Sequence, residues 1–452
     1  MAGWTDLKQL IFQEVIQMSE EGFITDGFNE RISACSGSER DLMEIYIELR
    51  EAKSDPDYKY IEPDELSDIL ALSGATLLQP FQIDPAVLDD KMYGAWLGRC
   101  IGCALGKPFE TDPFVCGTSE AAGWRYIRNW LEGANAYPLN DYVPGNSSAS
   151  DSGLKLVCEA SHKENISFME TDDDIRYLVI GLLIAEKYDN DFTPEQVMEI
   201  WHQYLPARQC CTAELQAYIN GLCTEITDLK TKREYIRTHL NPYREWIGAQ
   251  IRADQYGYVN AGDPLSAAKA AYNDAAFTHV KNGIYGAMFT AALISVAFVE
   301  DSIDKCIETA LSVIPASSRL YEDISCAIQI AKAVSSEDEL YGSLWKEFGR
   351  YDWVHTNNNA CACVAALVFG KGDFTRTVTT AVCCGWDTDC NGATVGSVIG
   401  AFIGAKAIPG HWKEPLNDTL YSFIPGFHPI SINECSGRSV KVFNKLHTRS
   451  IS

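Results

Sequence analysis

Two acidic clusters, far apart in the 452-residue chain, contain the residue types best suited to chemistry. The first is Thr171-Asp172-Asp173-Asp174 and the second is Gly385-Trp386-Asp387-Thr388-Asp389. Carboxylates this close to one another repel unless a positive charge lies between them. Carboxylate and hydroxyl oxygens are the ligands that hard cations such as Mg²⁺, Mn²⁺ and Ca²⁺ prefer. The two clusters therefore predict metal binding.

Each cluster runs directly into a long apolar stretch with helical spacing, which predicts that it lies at a helix N-terminus. The helix dipole favours negative charge there, and Asp is a common helix cap, so either cluster alone would be interpreted as a cap. A cap needs one Asp, whereas the first cluster has three. The second cluster is flanked by Gly385, Gly392 and Gly396, which allow close backbone approach. Together the clusters predict two helix starts that face each other across a metal-binding cleft.

The composition is that of a globular protein that does not bind nucleic acid. Hydrophobic residues make up 46% of the chain and charged residues 22%, as in ordinary folded domains. The formal net charge of −25 argues against nucleic acid as a partner, because affinity for its phosphates comes from Lys and Arg. The 16 cysteines include adjacent pairs in apolar stretches and no pair of matching CxxC motifs. We therefore expect buried thiols and no structural zinc site.

The elements that would position the clusters are predicted to be helices nearly throughout. Apolar residues recur at helical spacing, for example from Leu178 to Ile184, and no series of alternating segments indicates a sheet. The sequence predicts an all-α fold. Residues 1–88 are expected to form an N-terminal helical extension packed on a main body of residues 89–452.

The sequence predicts a cytoplasmic protein that does not enter the membrane. The N-terminus lacks a basic segment followed by an apolar one, so it does not resemble a signal peptide. The longest apolar run, from Ile284 to Val299, is shorter than a membrane span and contains small and polar residues.

A glycine stripe precedes another candidate residue. Gly94, Gly98, Gly102 and Gly106 recur at every fourth position, along one face of a predicted helix. This spacing allows a second helix to approach at backbone distance, and packing is sufficient to explain it. Glu110 follows a Pro that ends the helix, so its carboxylate could point into the cleft.

The segment from Tyr243 to Tyr258 combines aromatic residues, glycines and an amide. It could be a platform for a flat, hydroxyl-rich ligand such as a nucleoside, or an ordinary loop packed on its own aromatics. Two histidines that precede apolar helices, His279 and His355, are interpreted as structural. No GxSxG elbow or cysteine-protease signature is present. The predicted chemistry is therefore that of carboxylates, metal and water.

At these motifs the chain resembles the ADP-ribosylglycohydrolase family. The family's opening motif, GxxxGxxxGDxxGxxxE, is similar to the segment from Gly94 to Glu110, and its TDDT helix start is similar to Thr171–Asp174. Its C-terminal GGDTDTxGAxxGAxxGA motif is similar to the segment from Gly385 to Ala401. The resemblance covers about residues 88–410 and is closest to a bacterial branch with the motifs GAWLGRxxGCxLGKPxE and GWDTDCNGAT.

The resemblance implies a compact, orthogonal multi-helix bundle with a central acidic cleft that binds two divalent cations, Mg²⁺ or Mn²⁺. It implies hydrolysis at the anomeric carbon of an ADP-ribosyl group on a protein or small molecule. Glu110 and Asp387 are the alternative catalytic bases. The residues expected to bind metal are Thr171, Asp172, Asp173, Asp387 and Asp389. The residues expected to contact substrate are Asp174, Gly248, Gln250, Tyr258, Asn282 and Asn391.

Two cysteines depart from the family pattern. Cys103 replaces the Asp that commonly follows the third Gly, and Cys390 replaces a metal-binding Thr or Ser. Thiol sulfur is a poor ligand for a hard ion, so one ligand position is expected to pass to Asn391, Thr388 or water. The departures motivate an alternative hypothesis, a non-catalytic sensor of ADP-ribose or nucleotide. A third is a helical partner-binding protein whose Asp clusters are caps.

Overall fold

Twenty-one α-helices and one pair of short strands form the part of the chain that this computed structural model describes, residues 6–449. The strands, β1 (Thr419–Leu420) and β2 (Ile430–Ser431), pair antiparallel. This architecture confirms the predicted all-α fold class. The α-helices in chain order are α1 (Leu7–Glu20), α2 (Phe28–Ala34), α3 (Glu39–Arg50), α4 (Leu66–Ala71), α5 (Pro85–Gly106), α6 (Gly123–Gly133), α7 (Asp173–Tyr188), α8 (Pro194–Tyr204), α9 (Thr212–Cys223), α10 (Leu229–Thr238), α11 (Asp254–Val259), α12 (Pro264–Ala275), α13 (Lys281–Ala297), α14 (Ile303–Leu311), α15 (Arg319–Ala333), α16 (Glu337–Phe348), α17 (Thr356–Gly370), α18 (Phe374–Cys383), α19 (Thr388–Ile403), α20 (Gly410–Lys413) and α21 (Ile432–Arg449).

Helices α5 and α19 pack together at backbone distance. Glycines on each helix face glycines on the other, in the pairs Gly94–Gly400, Gly98–Gly396 and Gly102–Gly392. A Cβ atom at any of these positions would overlap a carbonyl oxygen of the facing helix. The partner numbers fall along α19 as they rise along α5, so the helices run antiparallel. The predicted packing role of the glycine stripe is confirmed.

This antiparallel pairing brings the end of α5 to the start of α19. A Cβ at Gly106 would overlap the carbonyl group of Thr388, the first residue of α19. The Thr388 hydroxyl also donates a 2.9 Å hydrogen bond to the Gly106 carbonyl oxygen. Lys107 and Glu110, which follow α5, therefore lie beside the acidic start of α19.

Buried Arg99 of α5 holds the start of α7. Its Nη2 donates a 2.6 Å hydrogen bond to Asp174 Oδ1, and its Nε donates one of 3.2 Å to the Asp174 carbonyl oxygen. Its Nη1 lies 2.8 Å from Asp254 Oδ2 in α11. A single guanidinium group thus links α5 to α7 and α11, which places the first acidic cluster next to the α5–α19 pair.

The N-terminal helices α1, α2 and α3 share a small hydrophobic cluster, and buried ion pairs join them to the body. Arg244 Nη1 lies 2.9 Å from Glu14 Oε2, and Arg244 Nε lies 2.6 Å from Glu21 Oε1. All three side chains are almost completely buried. The boundary between an extension of residues 1–88 and the body remains a prediction.

Two further expectations concern membranes and cysteines. Of the helices in residues 6–449, none is both long and apolar enough to cross a bilayer. All 16 cysteines are free thiols in the described chain, and ten of them are buried.

Candidate active site

The two acidic clusters meet, although about 200 residues separate them in the sequence. Asp172 caps α7 and Asp174 lies in its first turn, while Asp389 lies in the first turn of α19. Carboxylate oxygens of Asp172, Asp174 and Asp389 lie within 4.8 Å of one another, together with the Cys103 sulfur. A second group with the same spacing overlaps the first and comprises Asp387, Asp389 and Cys390.

The first cluster is held by hydrogen bonds and ion pairs. Asp172 Oδ1 accepts the Asp174 backbone N–H at 3.1 Å, so Asp172 does cap α7. Its other oxygen, Oδ2, lies 2.6 Å from the Lys107 ammonium nitrogen. The Thr171 hydroxyl accepts a 3.0 Å hydrogen bond from Arg176 Nη1. Basic side chains thus already contact part of the predicted metal-binding set.

The second cluster is shaped by a tight turn. Gly385 (φ 84°) and Trp386 (φ 59°) both have left-handed backbone conformations, which are unfavourable for a bulky side chain. The Trp386 ring stacks on Trp345, with the ring centres 5.0 Å apart. This contact holds the turn, and the turn presents Asp387 at the start of α19. Unlike Asp172, Asp387 makes no capping hydrogen bond.

Side-chain amides of α17 and α19 hold the end of this turn by hydrogen bonds. Asn359 Oδ1 in α17 accepts the Asp387 backbone N–H at 3.2 Å and the Asn391 side-chain N–H at 2.8 Å. Neither Asp387 nor Asp389 forms an ion pair with Lys, Arg or His among residues 6–449. Burial and the Asp389 charge raise the pKa of Asp387 well above its ordinary value, as expected for neighbouring carboxyl groups without a basic partner.

The donor atoms of the cleft fit a hard divalent cation. Asp389 Oδ1 and Asp174 Oδ2 are buried and accept no hydrogen bond within the described chain. A buried carboxylate oxygen without a partner is costly, and a cation of the Mg²⁺ type would supply the missing interaction. The sulfur atoms of Cys103 and Cys390 are weaker ligands for such an ion, so the carboxylates are the principal donors.

The crowding of carboxyl groups changes their acidity. Burial raises the pKa of Asp173 to about 7, and the neighbouring Asp172 charge adds to this shift. Burial and the same charge raise the pKa of Asp389 to about 6. Glu110 is exposed to the cavity, but the protein packed around it desolvates its carboxylate. This desolvation raises the pKa of Glu110 well above its ordinary value, as do the charges of Asp389 and Asp172. Burial would raise the pKa of Asp172 too, but the Lys107 ammonium reverses this effect and holds it below its ordinary value.

A cavity of about 160 Å³ opens beside the acidic groups. Glu110, Asp173 and Asp387 line one part of it. Trp246 and Gly248, from the segment predicted to bind a nucleoside, line another part. Gly248 is needed there, because a Cβ would overlap the buried Glu214 carboxylate.

The cavity residues that were not predicted from the sequence include Tyr177, Cys211 and Trp353. Tyr177 lies one turn after the first acidic cluster, so its proximity in sequence was a usable signal. Trp353 lies in the loop before α17, and its sequence position carries no comparable signal. Trp246, Tyr177 and Trp353 give the cavity aromatic walls beside its carboxylates.

Of the six predicted substrate-binding residues, Gly248 lines this cavity and the other five do not. Gln250 is buried, and Asp174 and Asn391 are held by the Arg99 and Asn359 contacts described above. The Tyr258 hydroxyl is 2.7 Å from the Ser397 hydroxyl. The Asn282 amide donates to Glu62 and Glu245. Substrate contact by these five residues stays a prediction.

Comparison with known proteins identifies the family. The family model described as ADP-ribosylglycohydrolase matches residues 84–433, which is more than half of the chain. A solved structure described as an ADP-ribosylglycohydrolase-related protein complex is 19% identical, with a TM-score of 0.46, and the match covers 79% of this chain and 99% of that one. No curated protein matches the chain. On the family match, this chain belongs to the ADP-ribosylglycohydrolase family.

Proposed function

We propose that this protein is a metal-dependent hydrolase that cleaves the glycosidic bond at the anomeric carbon of an ADP-ribosyl or related ribosyl group. The observation that supports it is the meeting of the two acidic helix starts, with Asp172, Asp174 and Asp389 within 4.8 Å of one another. Membership of the family supports glycohydrolase chemistry. The substrate would be an ADP-ribosylated protein or small molecule.

The ligands of the metal are proposed to come from the set Thr171, Asp172, Asp173, Asp387 and Asp389, and the proposed ion is Mg²⁺ or Mn²⁺. When bound, such an ion supplies positive charge that orients ligand hydroxyl groups and lowers the pKa of water. The carboxylates also suit the reaction itself, because the transition state at the anomeric carbon has oxocarbenium character and nearby anionic oxygens stabilise it.

Glu110 is the better candidate for the catalytic base. It is exposed and lines the cavity, so its carboxylate can reach water and substrate. Asp387 is almost completely buried and belongs to a group of possible metal ligands. We therefore assign proton transfer from the attacking water to Glu110 and metal binding to Asp387.

The aromatic side of the cavity would receive the rest of the substrate. Trp246, Trp353 and Tyr177 present ring surfaces to the same space as Asp173 and Glu110. Aromatic rings bind flat, partly polar groups well. A ribosyl group held at the carboxylates would thus place an attached base or phosphate chain towards these rings.

The test is release of free ADP-ribose from chelator-treated protein supplied with Mg²⁺ or Mn²⁺. Proteins ADP-ribosylated on arginine or on serine would serve as alternative substrates. We expect release that depends on metal and is lost in Asp387→Asn. Tight ADP-ribose binding without turnover of any substrate would support the sensor hypothesis instead. Release that persists in excess chelator would contradict the metal-dependent mechanism.

A further inference from the structure

The first acidic cluster already contains a cation that belongs to the chain. Lys107 is almost completely buried, and its ammonium nitrogen lies 2.6 Å from Asp172 Oδ2. It also donates a 3.3 Å hydrogen bond to the Thr171 carbonyl oxygen. The ammonium group is thus paired with a carboxylate oxygen and a carbonyl oxygen of the first cluster.

The backbone leaves Lys107 little freedom to move away. It directly follows Gly106, which touches the start of α19 so closely that a Cβ would overlap Thr388 and the Asp389 Cα atom. It begins a short 3-10 turn, Lys107–Phe109, whose residues are all buried. The ammonium group is therefore held beside Asp172 by the same packing that builds the cleft.

The second cluster forms no direct ion pair with Lys107, whose ion pair in the described chain is with Asp172. Within the described chain no basic side chain pairs with Asp387 or Asp389, and Asp389 Oδ1 is buried without a hydrogen-bond partner. Asp173 lines the adjoining cavity and likewise forms no ion pair with a basic residue in residues 6–449. The acidic cleft is thus asymmetric, because an ammonium group pairs directly with Asp172 and no basic side chain of the described chain pairs with Asp387 or Asp389.

We infer that Lys107 takes the place of one of the two cations in the acidic cleft, so that the protein binds a single divalent cation at Asp387 and Asp389. This inference rests on the proposed metal-dependent function. A second divalent cation at Asp172 would have to share that carboxylate with a buried ammonium group, and like charges at such short distance repel strongly. The Thr171 hydroxyl is also less available to a metal, because Arg176 donates a hydrogen bond to it.

The test counts bound ions in the full-length protein. Chelator-treated protein is titrated with Mn²⁺ without substrate, and bound Mn²⁺ is measured by equilibrium dialysis and elemental analysis. We expect one equivalent per chain for the wild type and for Lys107→Arg, which keeps the charge. We expect two equivalents for Lys107→Met, which frees Asp172. Lys163→Met removes an exposed lysine that pairs with Asp141, and this control should bind one equivalent.

Further variants keep the inference testable if Lys107→Met does not fold. Asp389→Asn should abolish Mn²⁺ binding, whereas Asp172→Asn should retain one equivalent. Two equivalents in the wild type, or loss of the ion in Asp172→Asn, would overturn the inference.

The outcomes also separate this inference from the proposed function. Two equivalents together with metal-dependent ADP-ribose release would overturn the inference and leave the function standing. One equivalent without hydrolysis of any substrate would support the inference and overturn the proposed function. No bound Mn²⁺ in any variant would overturn both.

Discussion

Among the carboxyl groups of the cleft, Glu110 has a distinctive environment. It is exposed at the cavity, and no hydrogen bond or ion pair holds its carboxylate within the described chain. Asp172 and Asp174, by contrast, are buried and paired with basic side chains. A carboxylate that reaches water and has no hydrogen-bond or ion-pair partner is suited to proton transfer rather than to holding an ion.

Replacement of Glu110 by Gln should therefore remove catalysis without removing the metal. Gln has nearly the same shape but cannot accept a proton from water, so we expect kcat to fall by roughly 10²–10⁴-fold. Steady-state release of ADP-ribose measures this, and Mn²⁺ titration of the same variant should show unchanged stoichiometry. The control is Glu120→Gln, at an exposed loop position outside the cavity, which should retain wild-type kcat. A Glu110→Gln enzyme with wild-type kcat would refute the assignment.

At the residue scale, the sequence predicted the acidic clusters but not the ion pair between Lys107 and Asp172. Asp387 and Asp389 were recognisable as candidate metal ligands because they lie close together in the sequence, and closely spaced carboxylates repel without a cation between them. Lys107 directly follows the glycine stripe, which was interpreted only as a helix-packing motif. Its contact with Asp172 spans 65 residues. Local spacing carries no signal for such a contact, because it depends on how α5 and α7 pack.

At the scale of elements, the α5–α19 pair positions the site. The glycine faces permit carbonyl oxygens of one helix to lie where side chains would otherwise be. The glycine stripe from Gly94 to Gly106 predicted a close helix partner, and the second motif has its own glycines at Gly392, Gly396 and Gly400. The sequence did not reveal that these two stripes face each other, because the register of two helices 290 residues apart is a tertiary property.

An alanine at Gly98 should therefore destabilise the fold. Its methyl group would overlap the Gly396 carbonyl oxygen, and the two helices would have to separate, which costs about 1–3 kcal/mol as an overpacking effect. Urea unfolding followed by circular dichroism measures this change. Gly342→Ala is the matched control, since it lies within α16 with no atom within 4 Å of the added Cβ. That variant should gain about 0.5–1 kcal/mol from helix propensity, and equal effects at both sites would contradict the packing argument.

At the scale of the whole molecule, buried ion pairs connect the N-terminal helices to the segment that lines the cavity. Arg244, which pairs with Glu14 and Glu21, is two residues before the cavity residue Trp246. Farther along, Arg319 of α15 pairs with Glu62 at 2.8 Å. The sequence suggested separate segments from their proline content and acidity, and it could not show that buried ion pairs connect them across more than 200 residues.

Removal of the Arg244 guanidinium should destabilise the protein strongly. Arg244→Met fills similar space but leaves Glu21 and Glu14 buried without this partner, and breaking a buried pair in this way costs about 3–5 kcal/mol. The midpoint of urea denaturation reports the loss. Arg40→Met breaks an exposed pair with Glu44 and should leave the midpoint unchanged. Independent unfolding of the N-terminal helices, seen as two separate transitions in the wild type, would show that the ion pairs do not couple them to the body.

The acidic cleft also links metal binding to pH in the whole molecule. Burial and the Asp172 charge raise the pKa of Asp173 to about 7 and that of Asp389 to about 6, above the ordinary value of 3.8. At these two groups the metal-free folded state therefore binds more protons than the unfolded chain between about pH 4 and pH 7. The contribution of these two groups to stability falls as pH rises through that window. Buried His279, whose pKa is lowered by burial, contributes with the opposite sign, so metal-free stability alone does not isolate the cleft.

The stabilisation produced by Mg²⁺ isolates the cleft, because groups far from the ion titrate equally with and without it. A divalent cation competes with protons for these carboxylates, and a ligand that binds the folded state raises stability by mass action. We therefore expect the Mg²⁺-induced rise in Tm to be larger at pH 8 than at pH 5.5, where Asp173 and Asp389 hold protons. Thermal unfolding with excess Mg²⁺ or excess chelator at both pH values measures the difference. Asp389→Asn should show no Mg²⁺ effect at either pH, and an equal rise at pH 5.5 and pH 8 in the wild type would place the ion elsewhere.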